Sequence, residues 1–173
     1  MRAMRKVVAI LPIAAAIAAS AANAHVTLEA PEAKADTYYK AVLRVGHGCD
    51  GSPTVKLRVR LPDGATAVRP QPKTGWEIAI VKEKLATPIR DGHGNLVTEA
   101  VVEVAWSGGR LLDEHYDEFA VRLKLPNRPG ETIAFPTVQE CEVGTHRWIE
   151  VPEGGKSAAD YKEPAPLLRL LPK

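Results

Sequence analysis

The chain is poor in sulfur and in aromatic rings: its 173 residues include two cysteines and two methionines, and only 5% are aromatic. Both methionines, Met1 and Met4, fall in an N-terminal segment that reads as a cleavable leader, so the remainder has no thioether. That excludes the methionine-built copper(I) sites of many exported carriers and the usual axial ligand of a blue-copper centre. So few aromatics leave no evident platform for a sugar chain. Charge of one sign is also lacking. The full chain is +2 and its pI near 8.6. Without the leader's Arg2, Arg5 and Lys6, the remaining 20 basic residues stand against 21 acidic ones, a formal charge of −1. Such a balance lacks the footprint of a nucleic-acid binder, and no charge run marks a membrane-surface helix. After the leader, no apolar run is long enough to span a bilayer.

The leader itself follows the export pattern. Its three basic residues precede an alanine-rich apolar stretch from Val7 to Ala19, and Ala22-Asn23-Ala24 supplies the small-x-small cleavage signal. Pro12 and the short run argue against a permanent membrane helix. Residues 1–24 are therefore expected to be removed after Ala24, giving a periplasmic protein without a stable membrane anchor. His25 then becomes the first residue. Its free α-amine and imidazole Nδ1 can close a chelate ring on a divalent metal, and copper(II) suits such nitrogen ligands. An internal histidine cannot do this, because its amide nitrogen has no available lone pair.

The rest of the chain reads as strands. Val55, Leu57, Val59 and Leu61 alternate with polar residues, as do Phe119, Val121, Leu123 and Leu125. Both runs stop at a proline, Pro62 and Pro126. Further alternation at Trp76–Ile80 and Val102–Trp106, and shorter candidates at His25–Leu28, Tyr38–Val45, Glu131–Phe135, Val138–Cys141 and Arg147–Val151, complete the set. Turn signals fall at Pro62-Asp63-Gly64, Asp91–Asn95, Ser107-Gly108-Gly109 and Asn127–Gly130. No helical stripe stands out beyond a short turn around Leu111–Tyr116. The expectation is all-β, one β-sandwich over residues 25–153, followed by a tail at 154–173 that drapes over the domain or stays mobile.

Cys49 and Cys141 in an oxidising compartment most simply form one disulfide. By chain-entropy reasoning it stabilises the fold by roughly 4 kcal/mol. The alternative makes them thiolate ligands for copper(I), beside His47. A copper(II) site on His25 needs more ligands, and His47 is the best internal candidate. Glycines flank it in Gly46-His47-Gly48, just after the Tyr38–Val45 strand. If the first strand pairs with that one, His25 and His47 reach the same end of the sheet. Amine, Nδ1 and a second imidazole then make the T-shaped arrangement called a histidine brace. Asp50 offers a carboxylate, although Asp-Gly is also an ordinary turn pair. His93 reads as a hairpin tip and His115 as part of a solvated acidic loop. His146 comes near only through tertiary contacts. Trp148 is either core or an indole wall beside the metal.

Several separated segments, in order, resemble the YcnI-like copper-binding domains of bacteria. They are His25-Val-Thr-Leu, His47-Gly-Cys-Asp-Gly-Ser-Pro-Thr54, Pro70-Gln-Pro-Lys-Thr-Gly-Trp76, Trp106-Ser-Gly-Gly109, Asp117-Glu-Phe119, Phe135-Pro-Thr-Val-Gln139 with Cys141, and Arg147-Trp-Ile-Glu150. The resemblance implies an extracytoplasmic sandwich, cupredoxin-like or fibronectin-type, that binds copper(II) through its N-terminal histidine. It further implies a glutamate ligand and a nearby tryptophan. His25 and Trp148 match that pattern. The glutamate has no counterpart in His47-Gly-Cys-Asp-Gly, so His47, Asp50, Glu29 and Glu32 all remain open as the further ligand. Many family members carry a C-terminal membrane anchor, which is not matched here.

The expected function is periplasmic copper(II) binding for buffering, trafficking or homeostasis, without catalysis, alongside other periplasmic or membrane copper-transport proteins. The competing expectations are a histidine-brace copper oxygenase acting on polysaccharide and an adhesion or assembly module whose histidine is incidental. Fold and brace alone do not separate them.

Overall fold

A computed structural model describes residues 25–90 and 94–173. The leader and His93 lie outside the described residues. Twelve strands are seen: β1 Thr27–Leu28, β2 Glu32–Lys34, β3 Tyr38–Val45, β4 Thr54–Arg60, β5 Thr66–Pro70, β6 Glu77–Arg90, β7 Leu96–Leu111, β8 Asp117–Lys124, β9 Thr132–Ala134, β10 Thr137–Cys141, β11 Thr145–Trp148 and β12 Leu167–Leu171. One sheet has the order β1-β3-β8-β5, a second β11-β10-β4-β7-β6, and a small third β2-β12-β9. Among the described residues, the one helical element is a 3-10 turn at Ala158–Asp160. No described helix is long and apolar enough to cross a membrane.

Alternation makes the sandwich. In β3, Tyr39, Ala41, Leu43 and Val45 face inward, and in β8 so do Phe119, Val121 and Leu123. Leu57 and Val59 of β4 and Val104 and Trp106 of β7 close the core from the other sheet. A period-two strand with one apolar face must bury that face against a second layer, and these four strands do so.

Ser107-Gly108-Gly109 is not a turn but part of β7. Its partner register jumps from Lys56↔Ser107 to Thr54↔Leu111, so the glycines form a bulge. Gly108 takes φ +83°, and a Cβ at Gly109 would sit 2.1 Å from Cε2 of Trp76. Trp76 uses that space to stack edge-on against Phe119, with ring centres 4.9 Å apart.

The final segment joins the fold. β12 pairs parallel with β2 and antiparallel with β9, and Leu168 and Leu170 are fully buried. Packed residues therefore continue past residue 153. Cys49, in the loop after β3, is joined to Cys141 at the end of β10, with Cα atoms 6.0 Å apart. This link ties the two sheets at one end, and it leaves no free thiolate for copper(I).

Candidate metal centre

β1 runs antiparallel to β3, with Thr27 opposite Arg44 and Leu28 opposite Leu43. The chain before Thr27 therefore runs beside the end of β3, where Gly46 and His47 leave the strand. This is the end the Cys49–Cys141 bridge closes. From the other sheet, β11 pairs with β10 so that Gln139 faces His146 and Thr137 faces Trp148. Residues two apart share a face, so His146 and Trp148 project together.

Four rings result in series. His25 lies 5.3 Å from Trp148 between centroids, Trp148 lies 4.8 Å from His146, and His146 lies 6.2 Å from His47 at a near-perpendicular 89°. Trp148 is buried in the core, with its ring against that of His25. Beyond His25 an apolar cavity of about 200 Å³ is lined by Val26, Leu28, Pro31, Pro164 and Pro166, among others.

Hydrogen bonds hold the rings. Buried Gln139 donates from Nε2 to the His47 carbonyl and to Thr54 Oγ1, both at 2.7 Å, and accepts from Trp148 Nε1 at 3.0 Å. His146 Nδ1 is 2.9 Å from Glu163 Oε1, and the other Glu163 oxygen accepts from the Arg147 amide at 3.2 Å. His47 Nδ1 donates to the Gly48 carbonyl at 2.5 Å. Its Nε2, which then carries the lone pair, is shielded from solvent and has no hydrogen-bond partner among the described residues. A buried polar atom without a partner is uncommon in native proteins and is often explained by a water or an ion.

The loop that presents His47 is fixed by its glycines and its aspartates. A Cβ on Gly48 would fall 1.9 Å from the Ser52 carbonyl oxygen, and the Gly48 amide donates to Asp113 at 2.9 Å. Cys49 and Ser52 exchange two backbone hydrogen bonds of 2.9 Å across Asp50-Gly51, both at positive φ. That is the geometry of a two-residue primed turn, for which Asp-Gly is a favoured pair. Turn chemistry thus accounts for Asp50, which is exposed.

The remaining candidates point elsewhere. Glu29 pairs with Arg44 at 3.0 Å, and Glu32 with Arg169 at 3.8 Å. His115 is exposed beside Glu114. Among the described residues, no three His, Cys, Asp or Glu side chains form a ready-made metal cage. A site here must draw on a donor beyond those side chains. The α-amine of His25 would be such a donor if the Ala24–His25 bond were cut. Glu163 and Gln139 escaped the sequence reading. Gln139 was visible only as part of the Phe-Pro-Thr-Val-Gln segment, and Glu163 carried no signal within its tail.

A family described as a domain of unknown function (DUF1775) matches residues 25–170. The crystal structure of an uncharacterized protein from Nocardia farcinica, described as having an immunoglobulin-like fold, is similar to this chain with a TM-score of 0.63. The match has 25% identity and covers 85% of this chain and 98% of that one, which identifies the sandwich as immunoglobulin-like. No curated protein matches.

Proposed function

The chain belongs to the DUF1775 family, and we propose that it binds copper(II) outside the cytoplasm, in buffering, storing or handing over the metal. The resemblance to YcnI-like domains supports that finer placement within the family. The ligands are the α-amine and Nδ1 of His25, released by cleavage after Ala24, and Nε2 of His47.

One observation carries this reading: the shielded Nε2 of His47, without a partner among the described residues, in the same ring series as His25, with Trp148 and His146 between them. The Nδ1–H bond to Gly48 fixes the tautomer that leaves Nε2 free, as outer hydrogen bonds do for metal-bound imidazoles. Nitrogen donors and the absence of thioether favour copper(II) over copper(I). The Trp148 indole, anchored by Gln139, forms one wall of the site. Asp50 is not needed in this ligand set. Its natural partners are periplasmic or membrane copper-transport proteins that give or take the ion, and we assign no catalytic step.

Electron paramagnetic resonance of the copper(II)-loaded chain beginning at His25 tests this, beside a form with one extra residue in front. A sharp signal with nitrogen couplings, altered in the extended form, is expected. His47→Ala should remove one coupling. Identical spectra from the original and extended forms would overturn the assignment.

A further inference from the structure

A second cavity lies far from the ring series in both sequence and sheet position. It is about 440 Å³ and is bounded by β5, by the outer residues Tyr38, Arg122 and Lys124, and by the distal half of the β6–β7 hairpin. That size falls in the range of about 300–1,000 Å³ common for small-molecule sites.

Its charge is lopsided. In the register of the first sheet, Arg122 on β8 stands directly opposite Lys40 on β3 and directly opposite Arg69 on β5. Directly opposed like charges destabilise a sheet, yet among the described residues no carboxylate pairs with any of these three. Arg122 lies over the Tyr38 ring at 3.9 Å, and Arg69 donates only to its neighbour's carbonyl, Val68, at 2.8 Å. Lys82 on the hairpin adds another cation, without a carboxylate partner among the described residues, whereas Asp36 already engages Lys124. Among the described residues, Glu99 is the one carboxylate lining the space.

The backbone is shaped to match. β5 carries an extra residue between Thr66 and Arg69, and Ala67 within it has φ +50°, a conformation rare for a side chain with a Cβ. The bulge lets Arg69 come opposite Arg122. Bulges of this kind are enriched beside functional sites, where they re-aim a side chain. Across from the arginines, Ile89, Val97 and Val101 of the hairpin supply an apolar wall.

We propose that this cavity binds a small amphipathic organic anion, its carboxylate held by Arg69 and Arg122 and its apolar part lying against the hairpin. Two guanidinium groups suit a planar, bidentate anion better than point charges would. The valine and isoleucine wall selects against a bare inorganic ion.

Decanoate, below its micellar concentration, is the probe, with inorganic phosphate and decyltrimethylammonium as comparators. Amide NMR should show decanoate shifting residues of β5, β8 and the β6–β7 hairpin, while phosphate binds more weakly and decyltrimethylammonium shows no saturable shift there. Arg122→Gln and Arg69→Gln, both on exposed strand positions, should each weaken decanoate by about tenfold without lowering the melting temperature, since each relieves an opposed like charge. Equal binding of phosphate would remove the apolar wall from the account. Equal binding of the cationic detergent would remove the arginines. Either result, unchanged affinity in both variants, or no shift at all with decanoate, overturns the proposal.

Discussion

The indole Nε1 of Trp148 donates to the side-chain oxygen of Gln139, 3.0 Å away and out of reach of solvent. The same amide donates to the His47 carbonyl and to Thr54 Oγ1, so one residue satisfies three groups from three segments, two of them buried and the His47 carbonyl partly so. Gln139→Leu would leave all three without it. Each stranded buried group costs about 1–3 kcal/mol. A loss of about 3 kcal/mol in urea denaturation is expected, with altered tryptophan fluorescence. A loss below about 1 kcal/mol would mean water replaces the amide and that Gln139 does not organise the rings.

Gly109 and Trp76 make a second, separable test. A Cβ at position 109 would overlap the indole, with its three nearest atoms at 2.1, 2.3 and 2.4 Å. Gly109→Ala should therefore push Trp76 off Phe119 and destabilise by about 2 kcal/mol, the scale of overpacking. In Trp76→Ala the obstacle is gone, so adding Gly109→Ala there should cost far less. A double-mutant cycle by chemical denaturation measures the difference. Additive effects would show that Gly109 is needed for its backbone alone.

How legible this arrangement was in the sequence depends on where each element finds its partner. β4 and β8 alternate because each has one face in the core, and their alternation alone predicts them. β12 has no alternation to read: Leu167, Leu168, Leu170 and Leu171 surround a single arginine. It becomes a strand because β2 and β9, distant in sequence, flank it. Gly108-Gly109 carries turn chemistry, yet it becomes a bulge because Trp76 occupies the space above it. For the candidate site, the meeting of β1 with the end of β3 follows from a simple hairpin argument. His146 and Glu163 come from the opposite sheet and from the final segment, so only tertiary packing unites them.

The Cys49–Cys141 bridge closes a sequence separation of 92 residues and sits beside the His47 loop. Replacing both cysteines by alanine should lower stability by about 4 kcal/mol, chiefly by freeing the unfolded chain. The His47 loop should loosen as well, since Cys49 and Ser52 hold its turn. Copper(II) affinity and unfolding midpoint should therefore fall together. A destabilised protein with unchanged copper affinity would place His47 outside the ligand set or its loop beyond the influence of the bridge, and the His47→Ala spectrum separates the two.

Acid sensitivity has a definite origin at Asp36. Hydrogen bonding from Lys124, and next from Lys173, lowers its pKa from 3.8 to about 2. The folded state therefore releases this proton at lower pH than the unfolded chain does. Between about pH 4 and pH 2 the unfolded state binds more protons, so stability rises with pH across that window. The contribution is complete above the unfolded value and disappears as pH falls through the folded one. Because Lys173 lies just beyond β12, the pair also fastens the final strand to the start of β3. Asp36→Asn should flatten the stability profile between pH 4 and pH 2 and leave its slope near pH 6 unchanged. Hydrogen exchange should then rise first in β12, where the Lys173 contact is lost. An unaltered acid slope in the variant would mean that the exposed ion pairs are screened too well to matter and that acid unfolding begins elsewhere.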